Sequence, residues 1–335
     1  MPTIKEVAQR AGVSTCTVSN VLNNKRPVKP ETKARVESAA AELRYKPSGV
    51  ARSLKASRTL TLGMVVTTST NPFYAEVLQA VEQRCYELGY SLIIANTRGN
   101  SERLKEALEV LRERQVDGTI LMCTQVNPAL HLSKDDLVMP VVVADWGITN
   151  LNVDLIQEEG RRGGYLAARH LLDLGHQAIG VLRGPSGKRT ADERYSGFCD
   201  ALQEAGVELR KDWVAEGDFE LAGGYRGAQT ILKAKQRPTA IIAGNDMMAA
   251  GALKALQEAG LRVPDDMSLI GYDNIELSSY LVPSLSTIEQ PKERLGANAV
   301  DLLLDRIKNP DSPLRTITLE PHLIARQSTL PLNQR

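Results

Sequence analysis

Polar and aromatic side chains suited to recognising a small ring stand directly after several apolar, β-branched segments of the sequence. Aromatic side chains can cover the faces of a ring, and carboxylate, amide and guanidinium groups suit hydroxyls, which both donate and accept hydrogen bonds. The set predicts a non-covalent binding site for a small polar ring, with a sugar as the first expectation. Its members are Asn71, Phe73, Tyr74, Asp145, Trp146, Arg189, Thr190, Arg194, Phe219, Asn245, Asp273 and Gln290.

Several of these side chains also have a structural alternative. Asn245 and Asp246 stand where a helix would need a cap, and we expect Asp246 to provide it. Phe73 and Tyr74 could belong to the core of a helix, and Phe219 could be an ordinary apolar residue at a strand end. The shared position of the whole set at strand ends favours binding over these separate explanations.

An enzyme is the rival functional class, but the sequence lacks the motifs that catalysis would need. No G-x-G-x-x-G follows the first apolar run, and the phosphate-loop pattern fails around Gly187-Lys188, with Leu182 in place of its first glycine and Arg189 in place of Ser or Thr. No Ser/His/Asp order stands out, and the four cysteines and four histidines show no metal-ligand spacing. We therefore expect no enzymatic activity, no metal and no cofactor.

The binding set must be positioned by alternating strands and helices. This alternation indicates parallel sheets built from right-handed βαβ units, and about ten strands suggest two Rossmann-like lobes. Ligands of such sheets bind beyond the carboxyl ends of the strands. The predicted strands are Leu60–Val66, Ser91–Ala95, Gly118–Met122, Val141–Ala144, Ile179–Leu182, Ala240–Ala243 and Ser268–Gly271. The predicted helices are Pro72–Leu88, Glu102–Arg114, Glu159–Leu172, Asp192–Glu204, Ala222–Lys233 and Asp246–Glu258.

Charge is distributed unevenly along the 335 residues. Residues 1–60 carry twelve lysines and arginines against four glutamates, a net charge of +8, whereas the rest of the chain carries −7. A basic head on an acidic body is the electrostatic pattern of a polyanion-binding module. No apolar run approaches the ~20 residues that span a bilayer, and the first residues contain no export signal. We therefore expect a cytoplasmic protein with free thiols.

The basic head has the pattern of a helix-turn-helix. Thr3 and Glu6 can form a capping box at the start of a first helix, and Gly12 permits a tight turn. Ser14 can cap a second helix that ends near Leu22 and fits the major groove of DNA. The candidate DNA contacts are Thr15, Cys16, Thr17 and Asn20 on that helix, with Arg26 and Lys29 before a third helix, Pro30–Leu43. The alternative for Thr15 and Thr17 is a simple preference for the start of a helix.

Residues 47–56 suggest a short basic helix that would be too short to stay folded alone in water. Its projecting Leu54, with Lys55 beside it, is suited to the minor groove, where an apolar side chain can open a base step. The alternative is an interdomain linker with an incidental leucine.

Six segments of the chain resemble the LacI/GalR family of bacterial repressors, in the family's order. They are TIKEVAQRAGVSTCTVSNVLN, RYKPSGVARSLK, TSTNPFY, GNDMMAAGAL, VPDDMSLIGYDN and TIEQPKERLG, within a similarity that extends from Thr3 to about Ser328. The chain looks closest to ribose-responsive members, with purine-responsive members second. The resemblance implies an all-α helix-turn-helix head and an α/β periplasmic-binding-protein-like body of two Rossmann-like lobes.

The resemblance also implies a domain division and three crossovers between the lobes. The head is 1–46, the hinge helix and linker 47–59, and the effector-binding and dimerisation body 60–330. Lobe one is expected at about 60–159 and 291–320, and lobe two at about 160–290 and 321–330. The crossovers are expected near Glu159–Arg162, Glu289–Pro291 and Glu320–His322.

The resemblance implies that Thr15, Cys16 and Asn20 occupy base-reading positions and that Leu54 occupies the minor-groove position. Cys16 departs from the Thr, Ser or Gln more common there. Asp192 stands where sugar-responsive members have an arginine, which leaves Arg189 or Arg194 to serve. Nine members of the binding set match sugar-contact positions of the family's periplasmic relatives or near neighbours of those positions, and they are Asn71, Phe73, Tyr74, Asp145, Arg194, Phe219, Asn245, Asp273 and Gln290. Trp146 departs from those relatives, which resemble this chain but have an arginine there.

The function implied is a homodimeric repressor on a pseudo-palindromic operator, controlled by a small molecule between the lobes. Ribose or a related pentose is the main expectation for that effector. The alternative is a purine base or nucleoside that acts as corepressor. A transport binding protein, the third class, does not explain the basic head. No leucine heptad follows Ser328, so a dimer is expected, without a membrane partner.

Overall fold

The computed structural model describes residues 2–22, 26–46, 58–122, 139–144 and 152–334. The chain divides into two compact units, Met1–Leu60 and Thr61–Arg335, each with its own apolar core. Among the side chains predicted to bind DNA or ligand, Leu54, Lys55, Asp145 and Trp146 lie outside the described residues.

The described part of the first unit is a bundle of three short helices. Val7, Val18 and Val36, one from each helix, are fully buried and form the centre of its core. The helices are α1 (Ile4–Ala11), α2 (Thr15–Leu22) and α3 (Pro30–Glu42).

Local interactions explain where α1 begins and ends. The predicted capping box is present, because the Thr3 amide donates to Glu6 Oε2 over 2.6 Å and the Glu6 amide donates to Thr3 Oγ1 over 3.4 Å. Gly12 follows the helix with φ +65°, a left-handed conformation that glycine adopts without steric cost. The conformation of Gly12 therefore fits the tight turn that the sequence predicts.

Lobe one of the second unit is a parallel six-stranded sheet with helices on both faces. Its strands are β1 (Thr61–Val66), β2 (Ser91–Asn96), β3 (Gly118–Met122), β4 (Val141–Ala144), β5 (Asp154–Glu158) and β11 (Thr316–Leu319), in the order β11-β5-β4-β3-β1-β2. Its helices are α4 (Pro72–Glu87), α5 (Ser101–Glu113) and α11 (Lys292–Lys308). Helices α4 and α11 approach closely at Gly296, where an added Cβ would lie 2.9 Å from the carbonyl oxygen of Val77.

Lobe two repeats this architecture with one antiparallel edge. Its strands are β6 (Ile179–Arg183), β7 (Val214–Glu216), β8 (Ala240–Ala243), β9 (Ser268–Asp273), β10 (Ser286–Glu289) and β12 (His322–Ile324), in the order β12-β10-β9-β8-β6-β7. Only the pairing of β12 with β10 is antiparallel among the described strands of this sheet. The helices are α6 (Gly160–Asp173), α7 (Arg189–Glu204), α8 (Leu221–Leu232), α9 (Asp246–Glu258) and α10 (Leu277–Tyr280).

The described chain passes between the two sheets three times, after β5, after β10 and after β11. Two lobes therefore share three connections, and the carboxyl ends of strands from both lobes face one cleft. The predicted fold class, a helix-turn-helix head and a two-lobed α/β body, is confirmed.

Five observed strands were not predicted: β5, β7, β10, β11 and β12. They are three to five residues long, and polar side chains interrupt most of them, so they lack the continuous apolar run of a buried strand. Helix α7 starts at Arg189, one turn before the predicted Asp192. Its first turn carries no apolar periodicity, and this is why the sequence pattern placed the start too late.

Candidate functional site

Eight of the predicted side chains line one small cavity between the lobes. They are Asn71, Phe73, Tyr74, Thr190, Arg194, Phe219, Asn245 and Asp273. The cavity measures about 30 Å³. Pockets that bury a small-molecule ligand are usually several hundred Å³ in volume, so the lobes or the lining side chains must move to admit one.

Two asparagines, one from each lobe and each the residue before a helix, converge on a single carbonyl group. Asn71 Nδ2 lies 3.5 Å and Asn245 Nδ2 lies 3.0 Å from the carbonyl oxygen of Phe219, and both donate to it. Their other atoms cap helices, since Asn71 Oδ1 accepts from the Phe73 amide over 3.0 Å and Asn245 Oδ1 from the Met248 amide over 2.9 Å. Both asparagines therefore cap a helix and also line the cleft, so the capping alternative stated for Asn245 does not exclude a place in the binding site.

Asp246 does not cap α9, and the expectation that it would do so is wrong. Its carboxylate is buried and accepts from Thr287 Oγ1 over 2.6 Å and from the Ile275 amide over 2.9 Å. Burial, together with the charge of Asp273, raises the pKa of Asp246 well above its ordinary value. Asn245 takes the cap because it is the last extended residue before the helix.

Aromatic side chains line the cavity from both lobes. Phe73 is buried in the core of lobe one, and its ring meets that of Tyr74 edge to face, with centroids 5.5 Å apart. Phe219 enters from lobe two with φ +68°, a left-handed backbone that is uncommon for a bulky residue. A conformation of this kind persists only where surrounding contacts hold it, and here the two asparagine amides do so.

Arg194 and Asp273 form the charged floor of the cleft. Arg194 Nη1 donates to the carbonyl oxygen of Gly244 over 2.8 Å and lies 3.3 Å from Asp273 Oδ1. Both side chains are buried. Burial raises the pKa of Asp273, while the nearby Arg194 guanidinium opposes that rise. The pair can present both a donor and an acceptor to a ligand.

Two predicted residues do not line this cavity. Arg189 Nε donates to Glu193 Oε1 over 2.6 Å, and the residue borders a separate groove that is also lined by residues of the first crossover. Gln290 is buried behind Asp273, to whose Oδ1 its Nε2 donates over 2.6 Å.

The sequence analysis missed three residues near the cleft. Lys188 Nζ lies 5.4 Å from the centroid of the Phe219 ring, and burial lowers the pKa of this lysine. Glu158 and Tyr272 form a buried hydrogen bond below Arg194. Lys188 could have been found from the sequence, because it stands two residues before the predicted site residue Thr190. Glu158 ends a strand that the apolar pattern did not show, so no such signal pointed to it.

Helix α2 presents its predicted DNA contacts in different ways. Thr15 and Cys16 are exposed, and Asn20 Nδ2 lies 4.0 Å from Cys16 Sγ, which places both on one face of the helix. Thr17 is partly engaged in the helix start, because its amide donates to Ser14 Oγ over 3.1 Å. Arg26 and Lys29 are also exposed. The described head can therefore offer short polar side chains and basic groups to a polyanion.

Two other kinds of site were sought in the described residues. No group of three or more histidine, cysteine, aspartate or glutamate side chains there could hold a metal ion. No helix in that part of the chain is both long enough and apolar enough to cross a membrane.

Comparison with known proteins identifies the family. The model for bacterial regulatory proteins of the lacI family matches residues 3–48, and the model for a periplasmic binding protein-like domain matches residues 168–329. The HTH-type transcriptional repressor PurR of Mannheimia succiniciproducens is 47% identical over 329 residues, 98% of each chain. PurR of Edwardsiella ictaluri is 48% identical over 330 residues, 98% of this chain and 97% of the relative. The chain belongs to the lacI family.

Solved structures of lacI-family proteins agree with this assignment. The lac repressor dimer bound to operator and the anti-inducer ONPF has a TM-score of 0.86 at 31% identity, covering 98% of this chain and 99% of that chain. A lacI-family regulator from Enterococcus faecium with bound ribose has a TM-score of 0.72 at 32% identity, covering 81% of this chain and 99% of that one.

The comparisons confirm the predicted family but do not support the expectation that ribose-responsive members are closest. The relatives that match nearly the full length at 47% and 48% identity carry the name PurR, whereas the ribose-bound structure is 32% identical. These relatives are named as transcriptional repressors, which agrees with the prediction of a regulator instead of an enzyme.

Proposed function

We propose that this lacI-family protein is a transcriptional repressor that binds a pseudo-palindromic operator as a dimer, with a purine base as corepressor. The observation that carries the proposal is the identity of 47% to 48% with repressors named PurR over nearly the whole chain, head and body together. Ribose, the main expectation from the sequence, becomes the second candidate for the effector.

The chemistry of the cleft suits a purine. Phe73, Tyr74 and Phe219 can cover the faces of a flat heteroaromatic ring. The Asp273 carboxylate can accept from a ring N–H, and Arg194 can donate to a ring nitrogen or an exocyclic oxygen. Since both charged groups are buried, a ligand that separates them without replacing the partner that each one loses would bind much more weakly.

Two observations favour a pentose as the effector. Asn71 and Asn245 offer amide groups to the cleft, and amides match hydroxyls well because they both donate and accept. A lacI-family structure at 32% identity contains ribose. Asp145 and Trp146 lie outside the described residues, and we keep them in the proposed ligand site on the sequence alone. Arg189 and Gln290 are described but do not line the cavity, and we keep them for the same reason.

The proposed operator contacts follow the domain division expected from the sequence. In the head, 1–46, Thr15, Cys16 and Asn20 would read base edges, while Thr17, Arg26 and Lys29 would contact phosphates. In the hinge, 47–59, Leu54 would enter the minor groove with Lys55 beside it. The body, 60–330, would bind the effector and the second subunit.

The proposed mechanism is a shift between two angles of the lobes. The lac repressor structure with a TM-score of 0.86 is a dimer on operator, and two-fold symmetry suits two half-sites. A corepressor that binds one lobe angle more tightly raises the fraction of protein whose hinge segments can fold on DNA. Because its task is on chromosomal DNA, we place the protein in the cytoplasm.

A thermal-shift screen of the full chain tests the ligand class. Hypoxanthine, guanine, adenine and ribose are compared at equal concentrations, because a ligand that binds only the folded state raises the melting temperature by mass action. We expect a purine base to raise it and ribose to leave it unchanged. A shift with ribose alone would replace the purine by the second candidate.

Selection of duplexes from a random pool, with and without the stabilising purine, tests the DNA function. We expect a palindromic site to be enriched and its affinity to rise with the purine at fixed salt. Retention of all duplexes with equal affinity under both conditions would contradict the repressor function itself.

A further inference from the structure

A buried cluster joins the floor of the cleft to two crossovers between the lobes. Glu158 ends β5 in lobe one, and Tyr272 and Asp273 end β9 in lobe two. Arg194 belongs to α7, and Gln290 follows β10 at the second crossover. All five are less than 10% exposed, so their mutual contacts are not weakened by solvent.

Within the cluster, the Glu158 carboxylate contacts two groups of the opposite lobe. Tyr272 Oη donates to Glu158 Oε1, while Arg194 Nη2 lies 3.6 Å from Glu158 Oε2. The Arg194 Cζ also lies 3.8 Å from the centroid of the Tyr272 ring. One carboxylate therefore locates both the guanidinium and the ring on which that guanidinium rests.

Helix α6 leaves the Tyr272 hydroxyl little freedom to turn elsewhere. A Cβ added at Gly163 would lie 2.0 Å from Tyr272 Oη, so the backbone of the helix is packed directly against the hydroxyl. Helix α6 begins at Gly160, two residues after Glu158. The first crossover thus supplies both the acceptor for this hydroxyl and the wall that confines it.

We propose that Glu158 is a positioning residue, which holds Arg194 in its ligand-facing orientation both by direct contact and through Tyr272, and so links the first crossover to the cleft. Gln290 likewise positions Asp273 at the second crossover, because its Nε2 donates to Asp273 Oδ1 over 2.6 Å. A change in lobe angle then alters the two groups that contact the ligand. This inference rests on the proposed function only in assuming that Arg194 and Asp273 face the effector.

A double-mutant cycle on the full chain tests the link. The variants are Glu158→Gln, Tyr272→Phe and the pair together, and ligand affinity is measured by calorimetry with hypoxanthine, guanine and ribose. Glu158→Gln replaces one of the two carboxylates that face Arg194 by an amide of the same shape, and Tyr272→Phe keeps the ring but removes the hydroxyl. We expect each single change to weaken binding by about tenfold or more, since Glu158→Gln takes a carboxylate from the buried Arg194 and Tyr272→Phe takes a hydrogen-bond donor from the buried Glu158.

The cycle separates positioning from a general loss of structure. If Glu158 acts through Tyr272, the double variant binds no more weakly than the worse single variant, whereas independent effects would multiply. The matched control is Glu159→Gln, the same change one residue along at an exposed position, and it should stay within about twofold of the parent. Multiplying losses, or unchanged affinity in Glu158→Gln, would overturn the proposal.

A crystal structure of the Glu158→Gln protein without ligand gives a readout that does not depend on the effector. We expect the Arg194 guanidinium to leave the Tyr272 ring and move towards Asp273, and an unmoved guanidinium would refute the positioning role. Parent protein that binds ribose and no purine would instead refute the purine assignment, and the cycle would then be run with ribose. If the parent binds none of the three, the crystal structure alone decides the positioning role.

Discussion

Asn71 in lobe one donates across the cleft to the backbone carbonyl of Phe219 in lobe two, over 3.5 Å. The same carbonyl accepts from Asn245 within lobe two over 3.0 Å. The bond from Asn245 does not depend on the lobe angle, whereas the bond from Asn71 exists only when the lobes are close. Asn71 therefore has two separable tasks, which are to cap α4 and to join the lobes.

Substitution of Asn71 should separate these tasks. Asn71→Ser can keep the cap but is too short to reach Phe219, so we expect unchanged stability and an altered ligand affinity. Asn71→Ala loses the cap as well and should lower the free energy of unfolding by about 1 kcal/mol. Urea unfolding and calorimetry with the stabilising purine measure the two effects. Equal ligand affinity in parent and Asn71→Ser would show that the bond across the cleft contributes nothing.

Asp273→Ala should abolish the response to the effector while leaving the basal affinity for DNA intact. The carboxylate lies in the cavity floor and pairs with Arg194, so its removal takes away an acceptor that the ligand needs. Operator affinity with and without the stabilising purine is measured by fluorescence anisotropy at one salt concentration. A variant that still responds to this purine would place the effector elsewhere.

Leu54→Ala should reduce specific binding far more than non-specific binding. An apolar wedge acts only where a base step can open, whereas phosphate contacts act on any duplex. The selected operator and a scrambled duplex of the same length are compared at several salt concentrations. Equal losses on both duplexes would argue that residues 47–56 are an ordinary linker.

Thiol labelling should distinguish Cys16 from Cys85. Cys16 is exposed on α2, whereas Cys85 is buried in α4, and burial raises the pKa of Cys85 to about 11. Because the thiolate is the reactive form, iodoacetamide at pH 8 should modify Cys16 and leave Cys85 intact in the folded protein.

The selected operator should protect Cys16 from that reagent, since the proposed recognition helix then faces DNA. Mass spectrometry of tryptic peptides measures both sites, and a scrambled duplex serves as the control. Equal modification of Cys16 on operator and on the control would place α2 away from the bases.

Short-range features of this protein followed from the sequence because their causes are local. The capping box of Thr3 and Glu6, the turn at Gly12, and the bounds of β3 and α9 each depend on residues within a few positions of one another. The eight side chains that line the cavity were also found in advance, because the carboxyl ends of parallel strands meet at one edge.

Only the tertiary structure determines which of these groups contact one another and with which residues they form hydrogen bonds. Tyr272 and Glu158 are 114 residues apart, and Asn71 and Phe219 are 148 apart, so their pairing depends on strand order and on the closeness of the lobes. Arg189 carries the right chemistry, but α7 starts one turn early and directs it to Glu193. Local patterns specify the elements, whereas contacts between distant elements arise only when three crossovers bring two separate sheets to one cleft.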